Sequence, residues 1–173
     1  MLDVLPTGTV WERADARFAL AYWPWSLLAQ PEPLPERLIE AAPGAVVDDA
    51  LAGWGSRSTA FGSEARAAYV AALSDPVHVH AICEEYRAAA TLYRSHDDAD
   101  HASGRRIECP VLALWSGPGP LSSWYAEEGG PLALWRAWSD DVQGRALEAG
   151  HFFPEEIPDE TADALSAFFL PPP

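Results

Sequence analysis

Apolar and polar positions along this chain follow two rhythms in succession. In the first, Val10, Ala14, Phe18, Tyr22 and Trp25 recur at steps of four and three. That spacing puts them on one helical face and predicts a helix from Val10 to about Leu28, with Thr9 as its cap. Pro24 lies inside it and is expected to kink it, because proline removes a backbone donor and clashes with the preceding turn. The tract Gln30-Pro-Glu-Pro-Leu-Pro-Glu36 predicts a connector. Short helical patterns follow, broken at Pro43-Gly44 and at Gly53-Trp-Gly55, with Ser63 expected to cap a helix carrying Tyr69 and Leu73. Asp75-Pro76 supplies a cap and a proline at the first helical position. The helix it opens should run to about Arg94 and carry Val79, Cys83, Tyr86, Ala90 and Tyr93 along one side.

The second rhythm is that of a sheet. Leu2–Leu5 is a short apolar run stopped by Pro6-Thr7-Gly8 and predicts a strand end followed by a turn. Val111–Trp115, ending at Ser116-Gly117, predicts a strand covered on both faces. Pro131–Ser139 reads as helix, Val142–Leu147 as a weaker strand, Gly150-His151 as loop, and Asp159 with Thr161 as the opening of a last helix. A strand end, a long helical insertion and then alternating strands and helices is the order of an α/β sheet with a helical lid inserted between its strands. The expected boundaries are 1–9 for the strand end and turn, 10–106 for the lid and return helix, and 107–173 for the last part of the α/β core.

Composition narrows the chemistry. The 173 residues carry 11 basic and 26 acidic side chains, a formal net charge of −15, and every cation is an arginine. So acidic a body is repelled by phosphate backbones and anionic lipid, which argues against nucleic-acid and membrane partners. A hydrophobic fraction of 49% with 21% charged residues belongs to a packed globular chain rather than a disordered acidic tail. No apolar run reaches the length of a membrane-spanning helix, and the opening Met-Leu-Asp-Val-Leu-Pro lacks the basic start of a signal peptide. Cys83 and Cys109 lack ligand spacing and read as reduced thiols. A cytoplasmic location is the expectation from these features.

Two residues stand out by position. Asp3 falls at the carboxyl end of the first strand and His151 in the loop after the last, where catalytic groups of open α/β sheets collect. An aspartate there could orient a histidine acting as general base. The plainer alternative is that Asp3 caps a turn and His151 packs. The run His96-Asp-Asp-Ala-Asp-His101 reads as a solvated helix end rather than a metal site, and Glu155-Glu156 as solvated carboxylates.

Several blocks resemble one family. LDVLPT at Leu2–Thr7, VWERADARFAL at Val10–Leu20, YWPWSLLAQP at Tyr22–Pro31, PERLI at Pro35–Ile39 and CEEYRAAAT at Cys83–Thr91 look like the haloacetate (fluoroacetate) dehalogenases. CPVLALW at Cys109–Trp115, DVQGRALEAGHFFPEE at Asp141–Glu156 and PDETADALSAFF at Pro158–Phe169 continue the match in order. The resemblance implies an α/β-hydrolase fold, here its last strands plus the helical lid. It implies hydrolytic cleavage of the carbon–halogen bond of a short haloacid through an aspartyl ester, with no metal or organic cofactor. On the matching motifs His151 is implied as the water-activating base and Asp3 as its partner acid. Trp25 and Tyr86 are implied as halide donors, with Trp54 lining the lid side of the same pocket.

Two departures carry consequences. Pro24 stands where the family's pocket histidine falls, and the loss of one donor would cost about 1–3 kcal/mol toward a departing fluoride. No two of the 12 glycines lie four apart, so the Gly-x-Asp-x-Gly turn that presents the nucleophile has no counterpart in this sequence. The expected protein is therefore a C-terminal portion of such a hydrolase, inactive alone, with a haloacid as small-molecule partner and either a homodimer or a complementing N-terminal half. A non-catalytic truncated remnant serving as an interaction module, and a related hydrolase such as an epoxide hydrolase, are the alternative readings.

Overall fold

The computed structural model describes residues 1–56 and 60–170. Their contacts divide into two compact units, and each is built by its own logic. The sheet unit takes the described residues of 1–5, 51–61 and 106–170; the helical unit takes residues 6–50 and 62–105. The described residues of 51–61, which fall within the region expected as lid, thus group with the sheet.

In the sheet unit, β1 (Val111–Ser116) pairs in parallel with β2 (Val142–Leu147), from Val111 opposite Val142 to Ser116 opposite Leu147. The N-terminal stretch lies along β1 through one parallel bridge, Leu2 with Leu114. The expected strand at Leu2–Leu5 shortens to this bridge because Asp3 turns into the left-handed region at φ 49°. Along β2 only Val142 and Leu147 are buried, which explains the weak alternating signal of its sequence. Gly144 has no alternative within β2: at φ 154° a Cβ there would lie 1.7 Å from the Ala113 carbonyl oxygen. Helices α9 (Pro120–Trp124), α10 (Gly130–Arg136), α11 (Phe153–Glu156) and α12 (Pro158–Phe169) complete this unit. Its core is Leu114, Leu147, Ala149 and Phe153, with Leu112, Ile157 and Ala164 against it.

The helical unit corrects the single helix expected over 10–28. Three short helices stand there: α1 (Thr7–Glu12), α2 (Ala16–Ala21) and α3 (Trp23–Leu27). The first break follows from Asp15, whose backbone is extended and whose carboxylate accepts the Phe18 N–H at 2.9 Å, capping a new helix. Pro24 then sits in the first turn of α3, where its missing N–H costs nothing, so it starts a helix instead of kinking one. Pro6, not Thr9, occupies the cap position of α1.

α4 (Leu34–Ala41) likewise begins inside the expected proline connector, with Pro35 in its first turn. α5 (Pro43–Gly53) follows, and α6 (Ser63–Leu73) is capped by Gly62, not Ser63. α7 (Pro76–Ala90) opens as expected on Asp75, which accepts the Val77 N–H at 2.9 Å. It stops four residues early, at Thr91, which leaves helical geometry and turns its hydroxyl back onto the Arg87 carbonyl oxygen. α8 (Leu92–Ser103) then carries the His96–His101 run and ends on left-handed Gly104. Asp97 in that run is partly buried and accepts the Gly8 N–H at 2.8 Å, so it joins α8 to α1 rather than facing solvent.

Leu28, Ile39, Val79 and Cys83 form the core of this unit. Burial, reinforced by the nearby Glu36 carboxylate, pushes the Cys83 thiol up to about 11, whereas Cys109 is exposed. Because the thiolate is the reactive form, native chain at pH 8 should take up one equivalent of a thiol reagent rapidly, at Cys109, and the second only on unfolding. Rapid uptake of two equivalents by folded protein would contradict the packing around Cys83.

Candidate functional site

The end of β1 organises the site. Asp3 is buried, its side chain 1% exposed, and its backbone is fixed by a 2.7 Å hydrogen bond from its N–H to the Leu114 carbonyl oxygen. One carboxylate oxygen accepts the Ser116 N–H at 2.9 Å; the other lies 2.7 Å from His151 Nδ1. A carboxylate only accepts, so Nδ1 carries the proton and the Nε2 lone pair is left for chemistry. Asp3 holds this pose at the cost of a positive φ, a kind of strain that concentrates where a side chain must be aimed.

Ser116 serves both partners. It is fully buried; its N–H reaches Asp3, and its hydroxyl donates to the Ala149 carbonyl oxygen at 2.6 Å, just before the histidine loop. The sequence carries one signal for it, a hydroxyl closing an apolar strand, which by itself marks only a strand end.

The loop itself is held along its length. His151 N–H donates to the Trp54 carbonyl oxygen at 3.0 Å. The Trp54 ring meets the imidazole edge to face with centroids 5.2 Å apart and stacks on Phe152 at 5.7 Å. Glu156 is not the solvated carboxylate its sequence suggested. It is partly buried, accepts the Ser56 hydroxyl at 2.6 Å and accepts the Gly150 N–H at 3.2 Å. Gly150 is required by close approach, since a Cβ there would fall 2.4 Å from the Ser56 backbone.

The expected residues therefore form two groups. Asp3, His151 and Trp54 come together in the sheet unit. Trp25 and Tyr86 come together in the helical unit, edge to face at 6.1 Å, with Phe18 and Trp11 each 5.6 Å from the Trp25 ring. Burial, then the neighbouring Glu85 carboxylate, raises the Tyr86 hydroxyl above the usual tyrosine value and keeps it a proton donor. Pro24, where the resemblance implied a pocket histidine, is buried and has neither a backbone N–H nor a side-chain donor. Among the described residues no group of three or more His, Cys, Asp or Glu side chains could hold a metal ion, and no helix is long and apolar enough to cross a membrane.

Comparison with known proteins agrees with this architecture. No family model matches the chain. A fluoroacetate dehalogenase from a Burkholderia species is 33% identical over 169 residues, 97% of this chain and 54% of that protein. A solved structure from Nostoc sp PCC 7120, described as an α/β hydrolase, is 42% identical with a TM-score of 0.90, covering 98% of this chain and 56% of the other. A mutant of a Pseudomonas aeruginosa protein described as an epoxide hydrolase, with bound MFA, is 39% identical with a TM-score of 0.86, over 96% and 55% of the two chains. The chain thus spans about half the length of the relatives it matches. It has part of the α/β-hydrolase fold, and its likeness to a fluoroacetate dehalogenase fits a C-terminal portion of such a protein.

Proposed function

We propose that this chain supplies the acid–base half of a hydrolase that cleaves carbon–halogen bonds in short haloacids. The observation that carries the reading is the buried Asp3 carboxylate 2.7 Å from His151 Nδ1, with its second oxygen on the Ser116 N–H. In the proposed reaction an aspartate carboxylate attacks the carbon bearing the halogen, forming an ester as the C–X bond breaks and halide leaves with its electron pair. His151 Nε2 then takes a proton from water, the resulting hydroxide attacks the ester carbonyl, and collapse releases the hydroxy acid and regenerates the carboxylate. Asp3 holds the ring and stabilises the imidazolium while that proton is carried. The indole N–H of Trp25 and the hydroxyl of Tyr86 are the proposed halide donors. Trp54, against the imidazole, is proposed as a substrate-binding side chain that limits water around the ring.

The attacking aspartate comes, in this reading, from a segment outside these 173 residues, because the sequence has no Gly-x-Asp-x-Gly turn. Pro24 leaves the halide one donor short, which favours chloride and larger halides over fluoride. An epoxide substrate is the second reading, favoured by the Pseudomonas aeruginosa neighbour's description.

The test measures halide release from chloroacetate and fluoroacetate by the chain alone and by the chain joined to a nucleophile-bearing upstream segment. No release is expected from the first. Release from the second should favour chloroacetate, and His151→Ala should stop it after about one equivalent per site, since the ester still forms but is not hydrolysed. Turnover by the joined protein of an epoxide but of neither haloacid would sink the dehalogenase reading. Turnover indifferent to His151→Ala would sink both readings.

A further inference from the structure

The loop carrying His151 has three consecutive backbone N–H groups, and each is captured. Gly150 N–H goes to Glu156 at 3.2 Å, His151 N–H to the Trp54 carbonyl oxygen at 3.0 Å, and Phe152 N–H to the Ser56 hydroxyl oxygen at 3.5 Å. Glu156 and Ser56 are themselves joined by a 2.6 Å hydrogen bond across 100 residues of chain. The serine hydroxyl donates to the carboxylate and receives the Phe152 N–H, so one carboxylate, directly and through one hydroxyl, braces the residues on both sides of the histidine.

Ser56 is the shielded member of the pair. It is buried, and the Gly150 backbone packs so tightly on it that no side chain fits between them. The bonds this carboxylate accepts from a backbone N–H and a hydroxyl are charge-assisted, and so stronger and more directional than bonds between neutral groups. An imidazole 2.7 Å from its partner tolerates little drift of its own backbone.

We infer that Glu156 and Ser56 form a positioning unit that fixes the His151 loop so that Nδ1 stays on Asp3. The inference rests on the reading of His151 as the base, but it concerns how the ring is held. Neither residue touches the reacting atoms, and Glu156 acts through Gly150 and Ser56.

The tautomer of His151 in the full 173-residue chain tests this, because imidazole nitrogen chemical shifts report where the ring proton sits. In the parent protein, above the pH at which the ring is doubly protonated, the proton should reside on Nδ1. Glu156→Ala should lower that Nδ1–H population by about twofold or more, toward the mixture of a free imidazole, and Ser56→Ala should do the same to a smaller extent. Glu156→Gln keeps an acceptor for one of the two donors and should restore most of the Nδ1–H population. Thr161→Val, which removes a buried hydroxyl from the start of α12, controls for general loosening. It should lower thermal stability and leave the tautomer alone.

The inference is overturned if Glu156→Ala leaves the tautomer unchanged, or if Thr161→Val shifts it equally. It is also overturned if the parent ring is not predominantly Nδ1–H. Failure of the hydrolase reading would instead appear as repeated turnover of haloacid that ignores His151→Ala, with the tautomer result intact.

Discussion

Asp3→Asn should lower steady-state halide release by the joined, nucleophile-bearing protein on the order of 10⁴-fold, with folding left almost intact. The expectation of an undisturbed fold comes from the backbone. Asp3 sits at φ 49°, and asparagine tolerates that region as readily as aspartate, so the turn after the Leu2–Leu114 bridge should survive. The chemistry should not survive. In one orientation the new amide presents its NH₂ to His151 Nδ1, which forces the ring proton onto Nε2 and removes the lone pair that would accept a proton from water. In the other, the NH₂ faces the Ser116 N–H, and two buried donors confront each other. Halide release under saturating chloroacetate, set beside a melting curve, checks both halves. A loss below tenfold with the fold intact would remove Asp3 from the machinery. A collapse of the fold would show that its two hydrogen bonds matter for stability before they matter for catalysis.

How much of this was legible in the sequence depends on the range over which each signal acts. Asp75-Pro76 and the Val111–Trp115 run are local signals, and α7 and β1 begin where those residues placed them. The helix expected over 10–28 failed for the opposite reason. Its apolar period continues smoothly through Asp15 and Tyr22, but a single carboxylate accepting the Phe18 N–H outweighs the period and restarts the chain. Asp3 and His151 were legible as a pair because strand ends and late loops are the places a sheet gathers its chemistry. Ser116, Ser56 and Glu156 were not, because each acquires its meaning only from partners 33 or more residues away, or from a neighbour met across the loop. Glu156 lay six residues from the glycine it braces and still read as solvent-facing, since nothing in its own segment announces a buried serine a hundred residues earlier.

Phe153→Ala carries the largest stability cost we expect, about 3–5 kcal/mol. Phe153 is fully buried in a core with Leu114 of β1, Leu147 of β2 and Ala149. Truncation to alanine removes the ring's burial and leaves a cavity whose walls are two paired strands that cannot collapse inward without breaking their register. The ring also stands two residues after His151. The Phe153 carbonyl oxygen accepts the Thr161 hydroxyl at 3.3 Å, joining α11 to α12. For a chain of this length the loss corresponds to a fall in Tm of about 6–20 °C. Phe153→Leu, which refills most of the volume, should recover more than half of it. Thermal unfolding of the two variants beside the parent provides the comparison. If Phe153→Ala melts within about 2 °C of the parent, the core between β1, β2 and α11 is not packed as described, and the support behind His151 must come from the hydrogen bonds of its loop alone.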